Sequence, residues 1–309
     1  MVREAADRIS VLARRTPVMS SRSVDNRTGI RVRFKCENLQ RGGAFKIRGA
    51  TNLVLSTPVE DLDRGVVAFS SGNHAQATAI AAQYAGVKAT IVMPEDAPRS
   101  KMEATRDLGA RVITYDRFRD NREAIAAAVL EETGGVLVPP FDHPMIIAGQ
   151  GTVALELLEE APEVEALVVC IGGGGLLAGC STIAKEMLPD IRIFGVEPEL
   201  ANDTFQSFAR GERITIPAPD TIADGLRAPS PGKLTFPVIQ KHVEKILLVT
   251  EDEIRATMRF LLERMKVLVE PSGAVAAAAV LFGKLPPDIR SAGVVISGGN
   301  VDVDFLKTI

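Results

Sequence analysis

The stretch Gly65–Gly86, GVVAFSSGNHAQATAIAAQYAG, decides the fold. Its first six residues, GVVAFS, form a short apolar run of strand length. From Asn73 the pattern changes to NHAQATAIAAQYAG, a helix stopped by Gly86. A strand of four to six residues followed at once by a helix of ten or more is one half of a βαβ unit. The alternation continues downstream. KATIVMP, ARVITYD and VLVPP are strands, and RSKMEATRDLG and RDNREAIAAAVLEETGG are helices. The strands are nearly uninterrupted apolar runs, the pattern of a parallel sheet covered on both faces.

A second series follows. MIIAGQGTVALELLEEA, GLLAGCSTIAKEML, EDEIRATMRFLLERM and SGAVAAAAVLFG are helical, and EALVVCIGG, IRIFGVEP, KILLVT and AGVVISGG are strands. The fold expected is α/β, with two doubly wound lobes built on open, mostly parallel sheets. Residues 55–145 form a small lobe; 1–54 with 146–309 form a large one. The stretch 208–237, rich in Pro, Gly and charge, is expected to wrap the surface. Ligands of open α/β sheets bind beyond the carboxyl ends of strands, and the polar motifs fall there.

Composition narrows the function. Thirty-six basic against thirty-nine acidic residues give a formal charge of −3, which offers no footprint for nucleic acid or an anionic membrane. No apolar run approaches the roughly 20 residues of a membrane span. MVREAADRISVLARRTP is a charged amphipathic helix without a signal-peptide core. Cys36, Cys170 and Cys180 show no metal spacing and are expected to be reduced thiols of a cytoplasmic protein; His74, His143 and His242 are too scattered for a zinc site.

Four motifs carry chemistry. In GGAFKIRGA, Lys46 stands between Phe45 and Ile47 with glycines close on both sides. Such an amine either packs its stem and reaches water, or is buried as a nucleophile or base. IGGGGLLAG follows a strand and opens a helix, so backbone amides and the helix N-terminus can bind an anion. The same run fits the dinucleotide pattern, through Gly173, Gly175 and Ala178 with Glu197 about 20 residues on. SSGNHA offers two hydroxyls, an amide and an imidazole at a helix start, for a carboxylate or for capping. SGGN, Ser297–Asn300, sets one hydroxyl between an apolar strand and two glycines, either at a ligand or in a turn. One cofactor would use them all: pyridoxal 5′-phosphate needs an amine for its aldehyde, donors for its phosphate and a partner for its ring nitrogen.

The chain resembles, over essentially its whole length, the fold-type II pyridoxal-phosphate enzymes, of tryptophan synthase β-like fold, and within them the threonine/serine dehydratase and serine racemase group. KCENLQRGGAFKIRGA is similar to that group's Schiff-base lysine motif. The resemblance implies that Lys46 binds the aldehyde, that Phe45 packs against the ring and that Asn73 bonds the 3′-oxygen. It implies Ser70 and His74 at the substrate carboxylate, Gly172, Gly173, Gly174, Gly175 and Leu176 at the phosphate, and Ser297 at the ring nitrogen. Ser71 matches the serine that protonates Cα from the opposite face in racemases and also occurs in related dehydratases.

VEPELANDT is similar to the group's divalent-cation site. Glu197, Asp203 and the Ala201 carbonyl would hold Mg²⁺ or Ca²⁺; the alternative is two carboxylates facing solvent. The activity implied is β-elimination of L-threonine or L-serine to a 2-oxo acid and ammonia, with Lys46 as the base at Cα. Arg122 falls near an arginine that can reach a carboxylate in racemases, which admits 3-hydroxyaspartate as substrate, though a solvated helix arginine is the plainer role. Ala228 and Pro229 replace serines of the mammalian-type racemases and speak against racemisation. No effector-binding domain follows the last strand, so catabolic use without isoleucine feedback is expected, in a homodimer or homotetramer. A non-catalytic relative and an NAD-dependent dehydrogenase are the readings from other classes.

Overall fold

Ten strands form two sheets in the computed structural model, which describes every residue except 71, 98, 117 and 118, and the backbone alone at 99, 100, 122 and 123. The larger sheet holds β1 (Val18–Met19), β2 (Arg31–Cys36), β7 (Ala166–Cys170), β8 (Arg192–Pro198), β9 (Lys245–Val249) and β10 (Ser291–Ile296), in the order β1-β2-β10-β7-β8-β9. All its pairings are parallel except that of β1, a two-residue edge strand antiparallel to β2. The smaller sheet holds β3 (Val66–Phe69), β4 (Ala89–Pro94), β5 (Arg111–Tyr115) and β6 (Val136–Leu137), parallel throughout in the order β5-β4-β3-β6. The chain thus has the expected α/β architecture. Every residue of β4, β7 and β10 is buried, so both faces of those strands are covered.

The helix Lys46–Ser56 joins the two parts. Its Ile47, Ala50, Leu53 and Val54 pack in one apolar cluster with Val66 and Ile91 of the smaller sheet. Its Arg48, fully buried, faces the other way. Arg48 donates from Nε and Nη2 to Glu37 (both 2.8 Å) and from Nη1 and Nη2 to Glu156 (2.6 and 2.8 Å). Glu156 also pairs with buried Lys35 of β2 at 2.7 Å. Burial alone would raise the Glu37 carboxyl; the Arg48 guanidinium, with Thr16 and Lys35, reverses this and holds it below its ordinary value.

Two features depart from the sequence reading. β2 and the helix Lys46–Ser56 are regular elements inside a segment read only for its motif. The stretch 208–237 does not merely wrap the surface, because Ala223 and Leu226 are buried and the turn Asp224–Leu226 lines the central cavity. The three cysteines are free and buried, and no described helix is long and apolar enough to cross a membrane.

Candidate active site

The carboxyl ends of β2, β3, β7 and β10 lead into the loops that meet at one cavity of about 530 Å³. A short antiparallel bridge, Ala44 with Gly298, fixes the lysine motif against the loop after β10. Phe45 N donates to Ser297 O (3.0 Å) and Gly299 N to Gly43 O (2.9 Å). This clamp needs Gly43, whose φ of 72° lies in the left-handed region and whose Cβ would strike the Asn300 amide.

Lys46 opens its helix and reaches into the cavity. Its Nζ donates to Pro140 O at 2.7 Å and stands 5.3 Å from the Phe45 ring centre. Burial lowers its ammonium to about 8. Far more of it is then neutral near pH 7.5 than of an ordinary lysine. Of the two alternatives for this lysine, the lowered ammonium favours the nucleophile or base, although the side chain is half-buried and its tip faces the cavity.

Gly172, Gly173, Gly174, Gly175 and Leu176 line the same cavity at the start of the helix Gly175–Met187. Gly174 has φ 91°, and Gly232 N and Thr235 Oγ1 both bind Gly173 O, which pins the loop. A side chain at Gly173 or Gly175 would run into Phe141. A pinned glycine loop at a helix N-terminus favours an anion. Ser297, 2% exposed, lies beside Cys170, whose thiol burial pushes up to about 11.

Phe45, Ser70, Asn73 and His74 also line the cavity, so the structure brings most of the expected residues together. Gly72 N donates to Ser70 Oγ at 3.2 Å. The geometry argues against the role expected of His74. Its Nε2 lies 2.8 Å from Val138 O and must carry the proton to bind a carbonyl. Burial, aided by the charge of Lys46, lowers the imidazole to about 3, so Nδ1 is a lone-pair acceptor with nothing to donate to a carboxylate. Ser71 lies outside the described residues, as does the side chain of Arg122.

Glu197 and Asp203 stand apart from the cavity. Both are fully buried rather than facing solvent. Glu197 accepts from Thr204 N (3.1 Å) and Phe205 N (2.8 Å), capping the helix Asp203–Arg210. Burial and the neighbouring Asp203 raise Glu197 well above the carboxylate range; burial raises Asp203 to about 7. Asp203 Oδ1 is buried without a partner, and Ala201 is buried beside the pair. Two buried carboxyls, one with an orphaned oxygen, fit a hard cation that would hold them ionised, although among the described residues no group of three or more His, Cys, Asp or Glu could hold a metal ion.

The sequence reading missed Glu270, Cys170, Phe141, Lys101 and Asp224, all on the cavity wall. Lys101 and Asp224 form an ion pair of 2.7 Å between the helix Arg99–Asp107 of the smaller part and the loop before the helix Thr235–His242 of the larger. Glu270 carried a signal, since it is an acid directly after the apolar run VLV. A charged residue there also suits the end of a helix, so the signal did not single it out.

A buried amine, an anion loop and a neutral hydroxyl around one cavity between two parallel sheets define a pyridoxal-phosphate enzyme. A family profile described as "Pyridoxal-phosphate dependent enzyme" matches residues 9–298, and the chain belongs to this family. It is 47% identical over 308 residues to an L-threo-3-hydroxyaspartate ammonia-lyase of Saccharomyces cerevisiae, covering all of this chain and 94% of that one. The maize serine racemase structure superposes with a TM-score of 0.96 at 45% identity, covering 99% of this chain and 94% of that one. A threonine deaminase from T.th. superposes with a TM-score of 0.91 at 43% identity, covering 97% of each chain.

Proposed function

We propose that this protein is an ammonia-lyase that removes the β-hydroxyl of L-threonine or L-serine to give a 2-oxo acid and ammonia. The observation that carries this reading is Lys46, whose amine reaches the cavity that Ser297 and the glycine loop also line, with burial lowering its ammonium. Pyridoxal phosphate, when bound, supplies an aldehyde for the amine and takes up negative charge developing at Cα. The pinned loop Gly172–Gly175 would hold its phosphate, Phe45 would cover its ring and Ser297 would meet its nitrogen.

Lys46 does the proton work. Its neutral Nζ takes the Cα proton, and the Pro140 carbonyl orients the amine before substrate arrives. Ser297 is a hydroxyl and not a carboxylate, so it does not stabilise a protonated ring nitrogen. Carbanion charge is then held less strongly, which favours expulsion of the β-hydroxyl. Lys101 and Asp224, paired on the cavity wall, tie the smaller part of the chain to the larger beside the site. Away from this cavity, Glu197, Asp203 and the Ala201 carbonyl would hold Mg²⁺ or Ca²⁺ in a structural role.

A second reading, 3-hydroxyaspartate as substrate, is favoured by the cationic side chain of Arg227 on the wall. The yeast relative bears that name. Racemisation has less support, since Ala228 brings no hydroxyl to the wall. The test is purified protein with L-threonine, L-serine, D-serine and the 3-hydroxyaspartate isomers, following both oxo acid and enantiomer. Oxo acid from L-threonine and L-serine at the highest kcat/KM is expected. Preference for a hydroxyaspartate isomer, or D-serine formed without oxo acid, would overturn the proposal.

A further inference from the structure

Glu270 has no role in the chemistry above, and its surroundings are unusual. It lies at the N-terminal end of the helix Pro271–Leu281, lines the cavity and is 2% exposed. Its backbone N donates to Gly298 O at 3.2 Å, and its Oε1 packs so closely on Gly298 that no side chain could stand there. Oε1 accepts from Asn73 Nδ2 at 2.6 Å. Oε2 is buried with no partner.

The donor directions are fixed by a chain of obligations. Gly42 O can only accept. Asn300 therefore presents its Nδ2 to it, at 2.7 Å. The same Nδ2 donates to Asn73 Oδ1 at 2.9 Å. Asn73 Oδ1 is thus an acceptor and its Nδ2 must face Glu270. One N–H of Asn73 is spent on Glu270, and the other remains for the cavity.

We propose that Glu270 is a positioning residue acting through Asn73 on the cofactor's 3′-oxygen: its carboxyl stores a proton whose loss moves the cofactor's own proton from the lysine nitrogen onto that oxygen. The inference rests on the pyridoxal-phosphate reading and on Asn73 as the partner of the 3′-oxygen. As a neutral acid, Glu270 adds no charge, and the second N–H of the Asn73 amide can stabilise negative charge on that oxygen. As a carboxylate it brings a charge within one residue of the oxygen and opposes such charge.

Burial, followed by the charge of Asp224, raises Glu270 to about 8, and Lys101 acts in the opposite sense. Asp302 acts on Lys101. Cys170 and Lys46 face the same cavity, Cys170 feeling the Glu270 charge directly. The proton on Glu270 is therefore coupled to the ion pair that joins the two parts of the chain.

The test is the visible spectrum of the cofactor-loaded protein titrated from pH 6 to 10, without substrate. In the wild type, intensity is expected to pass from the longer- to the shorter-wavelength band with a midpoint near pH 8. Glu270→Gln keeps the shape and cannot ionise, so it should abolish this transition. Asp224→Asn should lower the midpoint and Lys101→Gln should raise it. A merely structural glutamate would leave the transition in place in Glu270→Gln. A wild type without a transition, an unchanged midpoint in Glu270→Gln, or equal shifts of one sign in the other two variants overturns the inference. Should Glu270→Gln fail to fold, Glu270→Leu, which likewise cannot ionise, decides in its place. A protein with no visible band refutes the cofactor reading itself.

Discussion

Replacing Arg48 with methionine should destabilise the protein by about 3–5 kcal/mol, the cost of leaving a buried charge without its partner. The guanidinium meets both oxygens of Glu37 and both of Glu156, and also donates to Thr152 Oγ1 (3.0 Å) and Arg14 O (3.1 Å). Methionine fills most of the volume and satisfies none of these acceptors. Glu156 keeps Lys35, whereas Glu37 is left with Thr16 and Gln40. At roughly 2 °C per kcal/mol for a chain of this size, the midpoint of thermal unfolding should fall by ~6–10 °C. Without Arg48 the pKa of Glu37 rises, so the carboxyl takes up a proton as the pH drops and the defect shrinks. Differential scanning calorimetry at pH 8 and pH 5 should find the larger gap from wild type at pH 8. The double variant Arg48→Met/Glu37→Gln should recover part of the loss. A single variant within 2 °C of wild type, or a gap independent of pH, would refute this account.

Lys46→Ala should abolish elimination, since it removes the anchor and the base together; borohydride reduction and proteolysis of the wild type should label Lys46, and a label elsewhere rejects the assignment. Ser297→Asp should retain the cofactor yet lower turnover, because a carboxylate holds the ring nitrogen protonated; an unaltered spectrum with unaltered turnover would separate Ser297 from the ring. Asp203 is raised to about 7 against roughly 3.9 in an unfolded chain, so chelated protein should lose stability as pH climbs from about 4 to 7. Added Mg²⁺ or Ca²⁺ should restore it in thermal melts, and Asp203→Asn should remove that response; melts indifferent to chelator at pH 7.5 would exclude a cation there.

The parallel sheets were legible because buried strands such as VVAF and LVVC are unbroken apolar runs and their helices end at glycines such as Gly86. β2 was not, because Arg31, Arg33 and Lys35 alternate with Val32, Phe34 and Cys36, and a buried lysine looks like a solvated one until Glu156 is seen beside it. Lys46, the glycine run and Ser297 carry their chemistry in adjacent residues, so local patterns exposed them. Glu270, Lys101 and Asp224 acquire meaning only through partners more than 100 residues away, namely Asn73 and each other. His74 shows the converse: its motif suggested a donor, and the Val138 carbonyl, set by the fold, consumes it.

The bridge between Ala44 and Gly298 has a bearing on synthesis. β2 lies between β1 and β10, strands from opposite ends of the sequence. The four strands of the smaller sheet come from one continuous stretch and can pair as soon as it leaves the ribosome. β2 must wait for some 250 further residues, about 10–50 s at ordinary elongation rates. During that interval the Lys46 amine has neither the loop of Ser297 nor the Glu270 network beside it. An aldehyde meeting the growing chain then finds an ordinary lysine, mostly protonated and so a weaker nucleophile. The lowered amine and the network around it therefore belong to molecules whose two ends have met.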